Sequence, residues 1–358
     1  MKLRNLNSVV VGACWMVMVV VPGLATAAQA GAYQLDAGWP SYPPDMHFEM
    51  GSGVAVDADG IVYVYTRDVE HWGAHPLAME DRMGRSTVSM FNSEGEYLGK
   101  WGPSEERGFG LGAHTMYIDA QGMFWFVDRD GHTVKKYHPD GSLLLTLGEL
   151  GEWGDGPDRF NGPTAVVVQA NGNLVVADGY WNSRLVWFTA EGKFIKSVGG
   201  WGRGPGEFNT VHALAQDARG RLLAVDFCAG ALHPYVTAPG QIAEQRNHTA
   251  PGCVSRIQIF DGDGNYEDEW THVSPLSLAV YKEHVYASDE MRNLAVLDAA
   301  TGKELERYDD LAVYIHQMAM SPAGDIYVAS VYPEHAGFKR GIHGPTHRRW
   351  TRASPLLR

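Results

Sequence analysis

The chain has 358 residues, 45% of them hydrophobic and 20% charged, with 42 Gly and 18 Pro. That apolar share can offset chain entropy, which excludes an intrinsically disordered protein, and the glycines keep no three-residue period, which excludes a collagen-like chain. A formal charge of −13 argues against non-specific nucleic-acid binding, because that needs a basic face to displace counterions.

At the start, Lys2 and Arg4 precede the apolar run from Val9 to Val21; Pro22-Gly23 break it, and Ala25-Thr26-Ala27-Ala28-Gln29-Ala30 follow. A basic start, a short greasy core and an A-x-A exit predict a secretory signal peptide over residues 1–30, cut after Ala27 or Ala30. A retained membrane anchor is the rival reading, but the run is short for a bilayer span. Cys14 lies inside the greasy core rather than at its end, against a lipoprotein cleavage. The expectation is a secreted or periplasmic protein with no membrane span after cleavage. Export leaves Cys228 and Cys253, which an oxidising compartment would bridge as a disulfide around a loop rich in Pro, Gly and His.

Six copies of one phrase then follow: an alternating apolar run, an Asp/Gly turn, and a second apolar run. They start at Val54, Thr115, Thr164, Ala213, Leu276 and Gln317. Gly53 to Tyr65 is the first copy, Met116 to Asp128 the second, Ala165 to Asp178 the third and Ala213 to Asp226 the fourth. Period-2 alternation around such a turn predicts a β-hairpin. After most copies comes a second hairpin, as in Val88 to Leu98 and Leu185 to Ile195. Two hairpins make a four-stranded sheet, and six sheets at a period of about fifty residues predict an all-β, six-bladed β-propeller. A β-sandwich has no such period. Long steps between copies place insertions at His71 to Thr87 and Ala229 to Gly252, and Tyr33 to Asp36 is expected to add an outer strand to the last blade. The propeller is assigned residues 31–340, with a basic C-terminal tail over 341–358 carrying Arg348, Arg349, Arg352 and Arg358.

His114, His212 and His316 each stand at the start of the first strand of a copy, in copies two, four and six. First strands line the channel of a propeller, so three equivalent positions on alternate blades point at the axis. Three imidazoles suit a tetrahedral divalent ion with a fourth position open for water or substrate; Zn2+ is the default, with iron, cobalt or copper as alternatives. The other histidines share no such phase. Asp128, Asp178, Asp226 and Asp289 recur at the end of the second strand, and repetition at one phase predicts strand-end hydrogen bonding rather than a catalytic carboxylate pair. Arg184 is expected to hold blades together.

The string Asp178-Gly179-Tyr180-Trp181-Asn182-Ser183-Arg184, with Gly192-Lys193-Phe194-Ile195 and Gly206-Glu207-Phe208 before His212, resembles the NHL-repeat peptidylamidoglycolate lyase family, the lyase domain of peptidylglycine alpha-amidating monooxygenase. The resemblance covers the propeller and is strongest from Leu111 to Asp226. It implies a zinc held by His114, His212 and His316, a catalytic Tyr180, an active-site Arg67, and a Ca2+ held partly by the main-chain carbonyls of Val54 and Met116. It also implies cleavage of a C-terminal peptidyl-α-hydroxyglycine, a carbinolamide, into an amide and glyoxylate, so that the partner is a small-molecule or peptide C-terminal substrate. The chain departs from the family in four places. Gln317 stands where the family has a calcium-binding Asp, Tyr314-Ile315 where it has a Met–Pro pair, Phe227 where it has a second active-site arginine, and Trp181 where it has a cysteine. A divergent substrate is therefore in view, and so are two other functions: a non-catalytic NHL propeller binding a protein or glycan, and a metal-dependent propeller hydrolase such as a lactonase.

Overall fold

The computed structural model describes residues 33–36, 38–41, 43, 50–67, 86–102, 110–228, 253–309, 311, 314–331 and 347–352. Their regular structure is strand throughout. Strand β1 is Tyr33–Asp36. Blade one is β2 (Met50–Val56), β3 (Val62–Arg67), β4 (Thr87–Phe91) and β5 (Tyr97–Trp101); blade two is β6 (Ala113–Ile118), β7 (Phe124–Asp128), β8 (Thr133–Tyr137) and β9 (Leu143–Leu147). Blade three is β10 (Ala165–Val168), β11 (Leu174–Asp178), β12 (Arg184–Phe188) and β13 (Phe194–Gly199). Blade four is β14 (Val211–Gln216), β15 (Leu222–Asp226), β16 (Arg256–Phe260) and β17 (Tyr266–Trp270). Blade five is β18 (Ser277–Tyr281), β19 (His284–Ser288), β20 (Leu294–Asp298) and β21 (Glu304–Tyr308). Blade six is β22 (Gln317–Met320), β23 (Ile326–Ala329) and β24 (His347–Arg352), completed by β1. The chain is a six-bladed propeller.

The turns explain the phrase that repeats. In the first copy the Asp57 carboxylate accepts from the Asp59 and Ile61 backbone N–H groups at 3.0 and 2.8 Å, and Gly60 takes φ +85°. Asp119 and Gly122 repeat this in blade two. An Asx turn followed by a left-handed glycine closes these hairpins at low steric cost. Second strands such as β7, β11 and β15 are buried at every position, whereas the outer β5 and β13 alternate with exposed residues. A strand covered on both faces by neighbouring blades has no solvent side, so Phe124-Trp125-Phe126-Val127 reads as an unbroken apolar run.

An apolar cluster fills each seam between successive blades. Tyr65, Phe126 and Tyr137 bind blades one and two; Trp125, Val176 and Phe188 bind two and three; Trp187, Leu222 and Phe260 bind three and four; Ile257, Leu276 and Leu297 bind four and five. Tyr286, Ile326 and Val328 join five to six, and Val64, Phe91 and Tyr327, with Trp39, join six to one. The ring closes through β1, which pairs antiparallel with β24, Leu35 opposite Trp350. Residues 347–352 therefore belong to the last blade, which corrects the tail expected from residue 341. Basic side chains on a strand next to the sheet edge look like a tail in sequence, and only the pairing partner distinguishes the two. The expected signal segment 1–30, residues 71–85 of the first expected insertion and residues 229–252 of the second lie outside the described residues. The disulfide forms as expected: Cys228 is bonded to Cys253, with Cα atoms 5.8 Å apart. No helix among the described residues is long and apolar enough to cross a membrane.

Candidate active site

His114 and His212 sit where the ladder of the innermost strand slips by one residue. The register between β6 and β7 shifts from Ala113 to Thr115, and that between β14 and β15 from Val211 to Ala213. Each histidine is the extra residue of a bulge, and bulges re-aim side chains. His316 stands one residue before β22, its backbone N–H donating to Ala329 O at 2.9 Å. The three rings converge with centroids 5.0, 4.8 and 5.2 Å apart, and their candidate ligand nitrogens all lie within 4.8 Å of one another. None is more than 4% exposed.

The outer nitrogen of each ring is fixed by the next blade. Nδ1 of His114 donates to Thr164 O (2.8 Å), that of His212 to Leu276 O (2.9 Å) and that of His316 to Ser52 O (2.7 Å). A carbonyl only accepts, so Nδ1 carries the proton and Nε2 keeps its lone pair. Even-numbered blades thus supply imidazoles and odd-numbered blades supply the carbonyls that orient them. Three buried imidazoles, each held by its Nδ1 so that its Nε2 turns to the common centre, fit a divalent transition ion such as zinc.

Tyr180 lies in the turn after β11, its ring 5.4 Å from that of His114 and 5.8 Å from that of His212, its hydroxyl 3.2 Å from His114 Nε2. The surrounding string fixes this turn. A Cβ on Gly179 would come within 1.9 Å of Val211 O, so only glycine lets the turn approach blade four this closely. Asn182 Nδ2 donates to Asp178 at 2.6 Å and to Gly154 O at 2.7 Å. Ser183 Oγ donates to Asn209 O at 2.7 Å. Arg184 pairs with Asp178 at 2.9 Å and donates to the carbonyls of Asp155, Gly156 and Arg159. Asp178 and Arg184 thus tie the end of β11 to the loop that enters blade three. Burial pushes the Asp178 and Asp226 carboxyls up to about 6, against the pull of Arg184 on the first and of the Asn209 N–H and Arg256 on the second.

The remaining expected residues divide. Arg67 ends β3, and its side chain lies outside the described residues. Phe227 is buried and packs its ring 5.4 Å from that of His212. Gln317 bridges Val54 and Met116: its Oε1 accepts from the two N–H groups at 3.0 and 3.2 Å, and its Nε2 donates to Met116 O at 2.8 Å. A carbonyl that the resemblance gives to calcium thus already accepts from an amide, and the side chain above it is neutral. This donor set does not fit Ca2+, which needs several oxygens and draws most of its affinity from carboxylates.

One pair escaped the sequence reading. Arg129, directly after β7, donates from Nε to Asp130 at 2.6 Å, and its guanidinium carbon lies 5.4 Å from the Tyr180 ring centroid. The signal was its phase: Arg129 follows Asp128 as Phe227 follows Asp226 and Gly179 follows Asp178.

A family model described as a 6-bladed beta-propeller matches residues 163–263. Peptidyl-alpha-hydroxyglycine alpha-amidating lyase 2 of Drosophila melanogaster is 28% identical over 179 residues, 44% of this chain and 41% of that protein. The chain is similar to the peptidyl-alpha-hydroxyglycine alpha-amidating lyases. NHL repeat-containing protein 3 of Homo sapiens is 30% identical over 43% of this chain and 42% of that protein, so the match spans less than half the length of either relative. Among solved structures, a gluconolactonase from Xanthomonas campestris superposes with TM-score 0.53 at 12% identity, covering 85% of this chain and 86% of that one. At that identity the likeness is one of fold.

Proposed function

We propose that the chain is an exported, metal-dependent lyase that cleaves the C–N bond of a carbinolamide such as a C-terminal peptidyl-α-hydroxyglycine, releasing an amide and glyoxylate. The observation that carries this reading is the meeting of His114, His212 and His316 on the axis with Tyr180 against them. A divalent ion held by the three Nε2 atoms would supply Lewis acidity, lowering the pKa of a substrate hydroxyl as it does that of water. The chain's own part is positional. The carbonyls of Thr164, Leu276 and Ser52 keep the imidazoles in one tautomer, and the glycine turn keeps the Tyr180 oxygen beside His114. Tyr180 acts as the general base that takes the hydroxyl proton; the O–H electrons become the C=O bond of glyoxylate as the C–N pair leaves with the amide nitrogen, to which Tyr180 passes the proton on. Arg67 is retained from the resemblance as an anchor for the substrate carboxylate. Export rests on the N-terminal segment and on the Cys228–Cys253 disulfide, which suits an oxidising compartment.

The test joins elemental analysis to a glyoxylate-release assay on a hydroxyglycine peptide. Expected are about one zinc per chain, loss of metal and turnover in His212→Ala, and retained metal with turnover down about 10²–10⁴-fold in Tyr180→Phe. Full activity in Tyr180→Phe removes the proposed base. A metal-free, inactive protein favours the non-catalytic NHL reading, which the likeness to an NHL repeat-containing protein keeps in play.

A further inference from the structure

In blade three the turn that carries Tyr180 runs from Asp178 to Arg184, which pair across β11 and β12 and share an ion pair at 2.9 Å, with the five residues 179–183 between them. Blade four is built on the same frame. Asp226 and Arg256 pair across β15 and β16 and share an ion pair at 3.0 Å, but residues 227–255, 29 in all, stand between them. The Cys228–Cys253 disulfide brings the two arms of that excursion to a Cα separation of 5.8 Å. Counted across the bond, the path from Asp226 to Arg256 is Phe227, Cys228, Cys253, Val254 and Ser255, again five residues. Cys228 then stands at the phase of Tyr180 and Ser255 at that of Ser183, and the Cys228 N–H donates to Ser255 Oγ at 2.9 Å across the closed turn. The strand pair fixes Asp226 and Arg256. The residues beyond them would otherwise close a long loop at an entropic cost, which the covalent link removes.

The closed turn reaches the axial site through Phe227, the neighbour of Cys228. Phe227 is buried, its N–H donates to Thr210 O at 2.8 Å, and its ring centroid lies 5.4 Å from that of His212. The His212 imidazole is therefore held at Nδ1 by Leu276 O and braced by the Phe227 ring. The Phe227 carbonyl accepts from Asn209 Nδ2 at 2.9 Å, and Asn209 O accepts from Ser183 Oγ at 2.7 Å. Asn209 thus joins the turn of Phe227 to the turn of Tyr180. Groups that orient a ligand and wall its site from outside the coordination sphere typically change metal affinity by about 10–100-fold when removed.

We propose that the Cys228–Cys253 disulfide is a positioning element of the metal centre: it closes the blade-four turn to the length of the Tyr180 turn and so holds Phe227 against His212. This rests on the proposed reading of the three histidines as metal ligands. The test measures zinc affinity by competition with a chromophoric chelator, beside the Tm of the metal-free protein and glyoxylate release from a hydroxyglycine peptide. Cys228→Ser combined with Cys253→Ser weakens zinc binding about tenfold or more, and Phe227→Ala shows the same loss with the disulfide intact. Should the double serine variant not fold, the folded wild type treated with a phosphine reductant shows that loss instead. A rescue separates positioning from general support. Excision of residues 229–252 from the double serine variant joins positions 228 and 253 by a peptide bond, leaves a five-residue turn as in blade three, and returns zinc affinity to the wild-type level, indifferent to reductant. Zinc affinity unchanged by loss of the disulfide, even with a lowered Tm, overturns the proposal. So does an unchanged affinity in Phe227→Ala, or an excised variant that binds zinc as weakly as its parent. Affinity that follows the disulfide in a protein without glyoxylate release sinks the lyase reading alone; glyoxylate release with zinc affinity indifferent to the disulfide sinks only this inference. A wild type that binds no zinc overturns both.

Discussion

Gln317 stands where the resemblance puts a calcium ligand, and its amide does the bridging that an ion would do there. Its amide accepts from blade one at Val54 and both accepts from and donates to blade two at Met116, from the first position of β22 in blade six. Three blades are thereby pinned at the axis by a neutral group. Gln317→Ala removes the partner of two N–H groups and a carbonyl at the channel, each lost bond costing about 0.5–1.5 kcal/mol; a lowered Tm in thermal unfolding is the expected result. Added calcium leaves the wild-type Tm unchanged in protein kept saturated with zinc, whereas Gln317→Asp, which restores a carboxylate, gains stability with calcium. A calcium-dependent rise in the wild-type Tm would show that the amide yields to the ion. The substitution itself was visible in the sequence. That the amide would turn both its acceptor and its donor to the ion's neighbours was not, because side-chain direction depends on the spacing of three blades.

At the scale of the element, blades two, three and four repeat one device: an aspartate at the end of the second strand, buried beneath the loop that enters the blade. Asp178 accepts from Asn161 N at 2.7 Å, Asp226 from Asn209 N at 2.7 Å, and Asp128 from Leu111 N and Gly112 N at 2.9 and 2.8 Å. Burial raises Asp178 and Asp226 from 3.8 to about 6. Between those values the folded state binds more protons than the unfolded chain, so unfolding free energy falls as pH rises through that window. Asp178→Asn cannot titrate and should flatten this slope, measured as the urea midpoint from pH 4 to pH 7. The asparagine also gives up the charge opposite Arg184, so its stability at pH 7 drops by about 3 kcal/mol. An unchanged slope would mean that the carboxylate stays ionised across the range. The repeat phase of these aspartates in the sequence assigns them to structure; the next position holds Arg129, and a single arginine among glycine and phenylalanine makes no pattern until its contact with Tyr180 is seen.

Across the whole molecule, stability depends on closing the ring. Blade six takes three strands from the end of the chain and its outermost strand, β1, from the start. Tyr33 ties that strand to blade five, its hydroxyl 2.8 Å from that of Tyr286 and its ring edge-on to those of Tyr286 and Tyr308. Tyr33→Ala should cost about 3–5 kcal/mol, the usual range for losing a large buried aromatic, and chemical denaturation should show blade six loosening first by hydrogen exchange in 317–329. Protection lost evenly over all six blades would indicate instead that the ring unfolds as one cooperative unit.

The sequence by itself determined the blade count, the hairpin turns, the strand that closes the ring and the phase of the three histidines, because each follows from local alternation and turn chemistry repeated six times. Only the tertiary structure decided that the histidines ride on bulges and are held by carbonyls of the next blade, that residues 347–352 belong to a sheet, that Gln317 fills the place given to calcium, and that Arg129 lies against Tyr180. Those depend on contacts between blades about fifty residues or more apart along the chain. A repeat pattern fixes what each blade is, while the distances between side chains of different blades are set by how the blades pack around a common axis.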